Sequence, residues 1–112
     1  MSEVNEALIG EAARIFHVLS NPGRIRLLYA LEKTACDVST LVTTLHLDQP
    51  VVSHQLALLF DYQLVARRKV GLHVYYTLSD PHIIEIMDAM LGHVEHEITG
   101  APHPASLQET HD

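Results

Sequence analysis

The stretch "DPHIIEIMDAMLGHVEHE", Asp80 to Glu97, carries an aspartate and three histidines along what reads as one amphipathic helix. Carboxylate and imidazole are donors for divalent metal ions, so the first question is whether these groups can meet around one. At about 100° per residue, His82 and His93 differ by only about 20°, and His96 lies about 40° to the other side. All three therefore share a face. Yet about 16 Å of helix rise separates His82 from His93, whereas zinc holds nitrogen donors at about 2.1 Å. One helix cannot close such a site.

A second, antiparallel copy can. It brings Asp80 and His82 of one chain against the partner's His93 and His96, and twofold symmetry makes two identical sites. Ala89, near the midpoint of the same face, is small enough to let two helices approach. One carboxylate and three imidazoles suit tetrahedral Zn(II), with Co(II) close behind. A metalloprotease helix would need His at i and i+4 with an internal Glu, whereas His93 and His96 are i and i+3. Four protein donors also leave no position for a catalytic water. With no nucleophile elbow or phosphate loop elsewhere, neither an enzyme nor a small-molecule substrate is expected.

The rest of the chain must position these residues. Its 112 residues and 47% apolar content suit one folded domain, expected over residues 1–99, with 100–112 a flexible tail. The apolar runs are too short to span a bilayer, and nothing near Met1 resembles a signal peptide. The single cysteine, Cys36, cannot form an internal disulfide, so a reducing cytoplasm fits.

Net charge is −7, but it is unevenly spread. Acids and bases cancel over residues 1–33 and again over 34–79, where Arg67, Arg68 and Lys69 form a basic run. Residues 80–112 hold seven acids and no Lys or Arg. The whole deficit lies in the histidine-bearing segment, which attracts cations.

Helical spacing of Ile9, Ala12, Ala13, Phe16 and Leu19 predicts a first helix from Glu3 to Leu19. "SNPGR" interrupts it, and Asn21 with Pro22 starts a second helix through Ile25, Leu28 and Leu31. Asp37 or Ser39 can cap a short third helix with Leu41, Val42 and Leu45. Asp48 can cap a fourth, with Pro50 early and Val52, Leu56 and Leu59 inward. "LVARRKVGLHVYYTL" changes period and predicts a hairpin turning near Gly71. The last helix starts at Asp80-Pro81 and stops before Gly100.

This is a mainly α chain with one β-hairpin: a winged helix-turn-helix, dimerised through its terminal helices. Such a unit places the start of its second helix in the DNA major groove. Gln49, Ser53 and His54 are then the candidates for base edges or phosphates. Arg67, Arg68 and Lys69 would lie along the phosphate backbone of double-stranded DNA. A symmetric dimer would require a palindromic operator. Two rival readings stand beside this one: a winged-helix binding module with incidental histidines, and an intracellular metal buffer.

Four segments together resemble the ArsR–SmtB family of metal-responsive repressors, over roughly Ala12 to Ile98. "SNPGRIRLLYAL" resembles the opening of its second helix, "QPVVSHQLALL" its recognition helix and "LVARRKVGLHVYYTL" its wing. "DPHIIEIMDAMLGHVEH" resembles the D-x-H-x10-H-x2-H signature of the branch that senses zinc or cobalt through its last helix. The resemblance implies a dimeric repressor released from its operator by metal, controlling an efflux or detoxification gene. Where arsenic-, cadmium- or lead-sensing members carry Cys-x-Cys-Asp, this chain has "TACD", so Cys36 alone cannot make a thiolate site. Pro50, Val51 and Lys69 also depart from the usual residues, which leaves the operator sequence open. Some nickel or cobalt sensors add histidines from beyond the last helix. His103 and His111 offer that alternative, although Ile98 stands where such relatives supply a His.

Overall fold

A computed structural model describes residues 5–99 of the chain. The element order is α1 (Glu6–Val18), α2 (Pro22–Lys33), α3 (Val38–Leu45), α4 (Gln49–Asp61), β1 (Val65–Val70), β2 (His73–Leu78) and α5 (Pro81–Thr99). The chain divides into two compact units, one ending at Pro81 and the other beginning at His82. The tail expected at 100–112, with His103 and His111, lies outside the described residues, as does Glu3.

Side-chain caps explain most helix starts in the first unit. Asn5 accepts from the Leu8 N–H at 2.8 Å, so α1 begins at Glu6 rather than at Glu3. Asn21 accepts from Arg24 N–H at 3.1 Å, with Pro22 at the position where a missing N–H costs nothing. Of the two candidates ahead of α3, Asp37 is the cap, taking the Thr40 N–H at 2.9 Å. Asp48 occupies the cap position of α4 but makes no side-chain cap hydrogen bond; the Val52 N–H reaches its backbone carbonyl instead.

The core of this unit is aliphatic. Leu27, Leu28 and Leu31 of α2, Leu41 of α3, and Val52, Leu56 and Leu59 of α4 are all buried. Burying each such side chain fully is worth about 1.5–3 kcal/mol. Positions 52, 56 and 59 recur at i, i+4 and i+7, so α4 presents one apolar stripe inward and leaves the opposite face to solvent. The hairpin is antiparallel, with Val65 opposite Leu78 and Val70 opposite His73. Its two-residue turn is Gly71-Leu72, and Gly71 adopts φ +63°, a conformation that costs glycine no steric clash. Cys36 adds an isolated antiparallel bridge to Tyr76, with N–H···O distances of 3.1 and 2.8 Å.

Helix α5, considered by itself, is 19 residues long and carries Ile83, Ile84 and Met87 as its buried positions. Ile86, Met90, Leu91, Val94 and Ile98 remain between 38% and 79% exposed. Leu8, Ile9 and Phe16 of α1 are also left in water. Apolar side chains in this number on both terminal helices are what a dimer interface requires.

Candidate metal ligands and nucleic-acid interface

Three of the four candidate metal ligands sit on α5, and Asp80 immediately precedes it. His82 and His93 are exposed, whereas Asp80 and His96 are half-buried. The helix is continuous from Pro81 to Thr99, so the expected rise of about 16 Å between His82 and His93 holds. Among the described residues of one chain, no three His, Cys, Asp or Glu side chains come together to hold a metal ion. The donor types nonetheless fit a tetrahedral divalent site when taken two by two from opposite ends of the helix.

The DNA candidates fall in the first unit. Gln49, Ser53 and His54 are all exposed on α4, Ser53 and His54 off its buried stripe and Gln49 as the helix's first residue, one turn ahead of Val52. Gln49 opens the helix, where the backbone N–H groups and the positive end of the helix dipole suit a phosphate as well as a base. Arg67, Arg68 and Lys69 are exposed on β1. The pleat sends Arg67 and Lys69 to one face of the ribbon and Arg68 to the other, so the three cations do not form one patch. The Arg67 guanidinium lies over the ring of Phe60, 3.9 Å from its centre, which anchors the base of the wing on the end of α4.

Several contacts that organise this surface carry no signal in the sequence. Arg24 donates through Nε to the Val18 carbonyl at 2.6 Å and through a terminal nitrogen to Gln55 Oε1 at 2.8 Å. It thereby ties the end of α1 to α4, reaching a partner 31 residues further along the chain. Ser79 closes the wing's base, its N–H on the Leu64 carbonyl at 3.1 Å and its hydroxyl on Gln63 at 3.0 Å. Near the wing's tip, His73 Nδ1 lies 3.3 Å from Asp37 Oδ2.

Thr40, through its hydroxyl and its N–H, holds the Asp37 carboxyl below the usual carboxylate range, and His73 adds to the effect. Burial, followed by the Asp37 charge, pushes the Cys36 thiol up. A cleft of about 380 Å³ opens between α3, the start of α4 and the wing tip, with Gln49, Leu72 and His73 in its lining.

The family model described as "Bacterial regulatory protein, arsR family" matches residues 21–66. That span runs from the cap of α2 into β1 and contains the whole helix-turn-helix pair. A transcriptional repressor SmtB homolog from Synechocystis sp. is 34% identical over 85 residues, covering 76% of this chain and 64% of that protein. The chain thus spans somewhat less than two thirds of that relative's length. The HTH-type transcriptional regulator NmtR of Mycobacterium tuberculosis is 30% identical over 98 residues, 86% of this chain and 82% of its own. Among solved structures, the AntR antimony-specific transcriptional repressor superposes with a TM-score of 0.76 at 27% identity, covering 88% of this chain and 90% of the other.

Proposed function

Because the chain belongs to the arsR family of bacterial regulatory proteins, DNA-binding transcriptional regulators rather than enzymes, we propose that it is a homodimeric repressor released from a palindromic operator by Zn(II) or Co(II). Asp80 and His82 of one chain, with the partner's His93 and His96, would hold each ion. When bound, zinc supplies four coordinate bonds between the two helices and no open position for chemistry. The observation that carries this reading is the placement of three histidines on one face of one continuous helix, with its ends too far apart to share an ion. Repression of metal efflux or detoxification genes in the cytoplasm is the role that such a switch fits.

The protein's own groups do the rest. Gln49, Ser53 and His54 stand on the exposed face of α4, and Arg67, Arg68 and Lys69 on the wing beside it. The exposed apolar residues of α1 and α5 would pair two chains, and that pairing sets the distance between their two recognition helices. A ligand set divided between two chains changes that pairing when it closes. The imidazoles must be neutral to ligate, so metal binding competes with protons.

The test is a titration of the metal-free protein with Zn(II), Co(II) and Ni(II), with and without a duplex selected by the protein from a random library. Coupling of about 1–3 kcal/mol is expected and must be reciprocal, so the duplex should weaken metal binding by the factor that metal weakens the duplex. Equal metal affinity for free and DNA-bound protein would refute a sensor. A tetrahedral Co(II) spectrum supports the four-donor set, and an octahedral one would replace it with the nickel-type site.

A further inference from the structure

Two neighbouring residues ahead of α3 hold the wing at different heights. Cys36 pairs through its backbone with Tyr76, in the second half of β2. Asp37 reaches His73, the first residue of the same strand. Three residues of strand, about 10 Å, separate the two attachments. The Asp37 carboxylate is shared: Oδ1 takes the Thr40 N–H that starts α3, and Oδ2 faces the imidazole. One side chain therefore joins the cap of α3 to the tip of the wing.

A two-stranded ribbon is marginal by itself, and its free end must be held if it is to have a defined place. The base of this wing is fixed by Ser79 on Gln63 and Leu64, and its middle by the Cys36–Tyr76 bridge. Beyond that bridge stands the turn, with Leu72 at 93% exposure. The His73–Asp37 pair lies where the ribbon would otherwise swing. It also borders the cleft that contains Gln49, the first residue of α4.

We propose that His73 and Asp37 are a positioning pair for DNA binding, fixing the wing tip beside the starts of α3 and α4 so that both engage one duplex in a single register. The pair concerns the DNA-binding half alone and does not depend on which metal α5 takes. The groups facing His73 are few. Asp37 faces it from the turn before α3, and Tyr75 flanks it on β2 with ring centres 6.2 Å apart. On β1, the same face of the ribbon carries Val70, opposite His73, and Arg68, opposite Tyr75.

Both side chains can be changed without opening the core. His73 is 64% exposed, and Asp37→Asn keeps an oxygen to cap α3. The probe is a duplex selected by the wild-type protein from a random library, with affinity followed by fluorescence anisotropy at fixed salt. His73→Ala and Asp37→Asn should each weaken binding about two- to fivefold, as expected for a partly exposed pair. The double variant should be no weaker than either single one.

Hydroxyl-radical footprints should lose protection where the wing lies and keep it under α4. The thermal midpoint of His73→Ala should stay with that of the wild type. His73→Gln, which retains a donor, should recover part of the affinity. Additive losses in the double variant, or wild-type affinity in His73→Ala, would overturn the proposal.

Discussion

Mixing two variants that cannot bind metal should restore binding. One variant carries Asp80→Ala and His82→Ala; the other carries His93→Ala and His96→Ala. In α5, eleven residues, or about 16 Å, separate His82 from His93. Two donors on one zinc ion stand no more than about 4 Å apart, roughly a quarter of that span. Each site must therefore take its two pairs from different chains. Either variant alone forms dimers in which every site keeps only two donors. In a mixed dimer one site has all four and the other has none. Random exchange makes about half the dimers mixed, so the mixture should hold about one quarter of the wild-type capacity for tight zinc.

The assay is competition with a chromophoric chelator after the two variants are unfolded and refolded together. Variants refolded separately and then combined cold serve as the control. Tight sites in either variant alone, or none in the co-refolded mixture, would refute the shared site even if the wild type binds zinc well.

Four other outcomes are expected. Leu56→Ala, at a position with no exposure, should cost about 2–5 kcal/mol in urea unfolding. Cys36, buried and with its thiol pushed up by burial and Asp37, should react with iodoacetamide slowly at pH 7.5 and quickly once urea unfolds the chain. Asp37 has a carboxyl held below its ordinary range in the folded chain, so its stabilisation is complete above about pH 4 and drains away in stronger acid. The urea midpoints of wild type and Asp37→Asn should accordingly converge there. Arg68→Ala should weaken selected and random duplexes alike and lower the salt slope by about one, whereas Ser53→Ala and His54→Ala should weaken the selected duplex more.

What the sequence made legible is whatever a single helix or turn determines. The caps at Asn21 and Asp37, the inward stripe Val52, Leu56 and Leu59, and the turn at Gly71 all follow from spacing within a few residues. The Asp48 cap did not: Pro50, early in α4, removes one of the N–H groups such a side chain could accept from, and the carboxylate makes no cap bond to the others. The Arg24 link to Gln55, the stack of Arg67 on Phe60 and the His73–Asp37 pair were not legible at all. Each depends on how two elements are set against each other, and the sequence pattern of neither element contains that relation. The candidate metal ligands are the intermediate case. Their own helix shows that they cannot act alone, and only a second chain completes the argument.

The uneven charge bears on how an acidic chain can hold DNA. The acids that make the total negative lie from Asp80 onward, while α4 and the wing lie before it. Over residues 34–79 three acids face three cations, but Asp37 is committed to Thr40 and His73, and Asp48 occupies the cap position of α4. Arg67 is likewise partly committed, to Phe60, and Arg68 points to the opposite face from Lys69. Few phosphates can then be neutralised per wing, so counterion release supplies only modest affinity. On the proposed reading, the balance would come from the α4 contacts of two chains acting together on one operator. A repressor built this way depends on the spacing of its two halves more than a strongly basic protein would. On the proposed sensor reading, that dependence would let a change in dimer geometry release it from DNA.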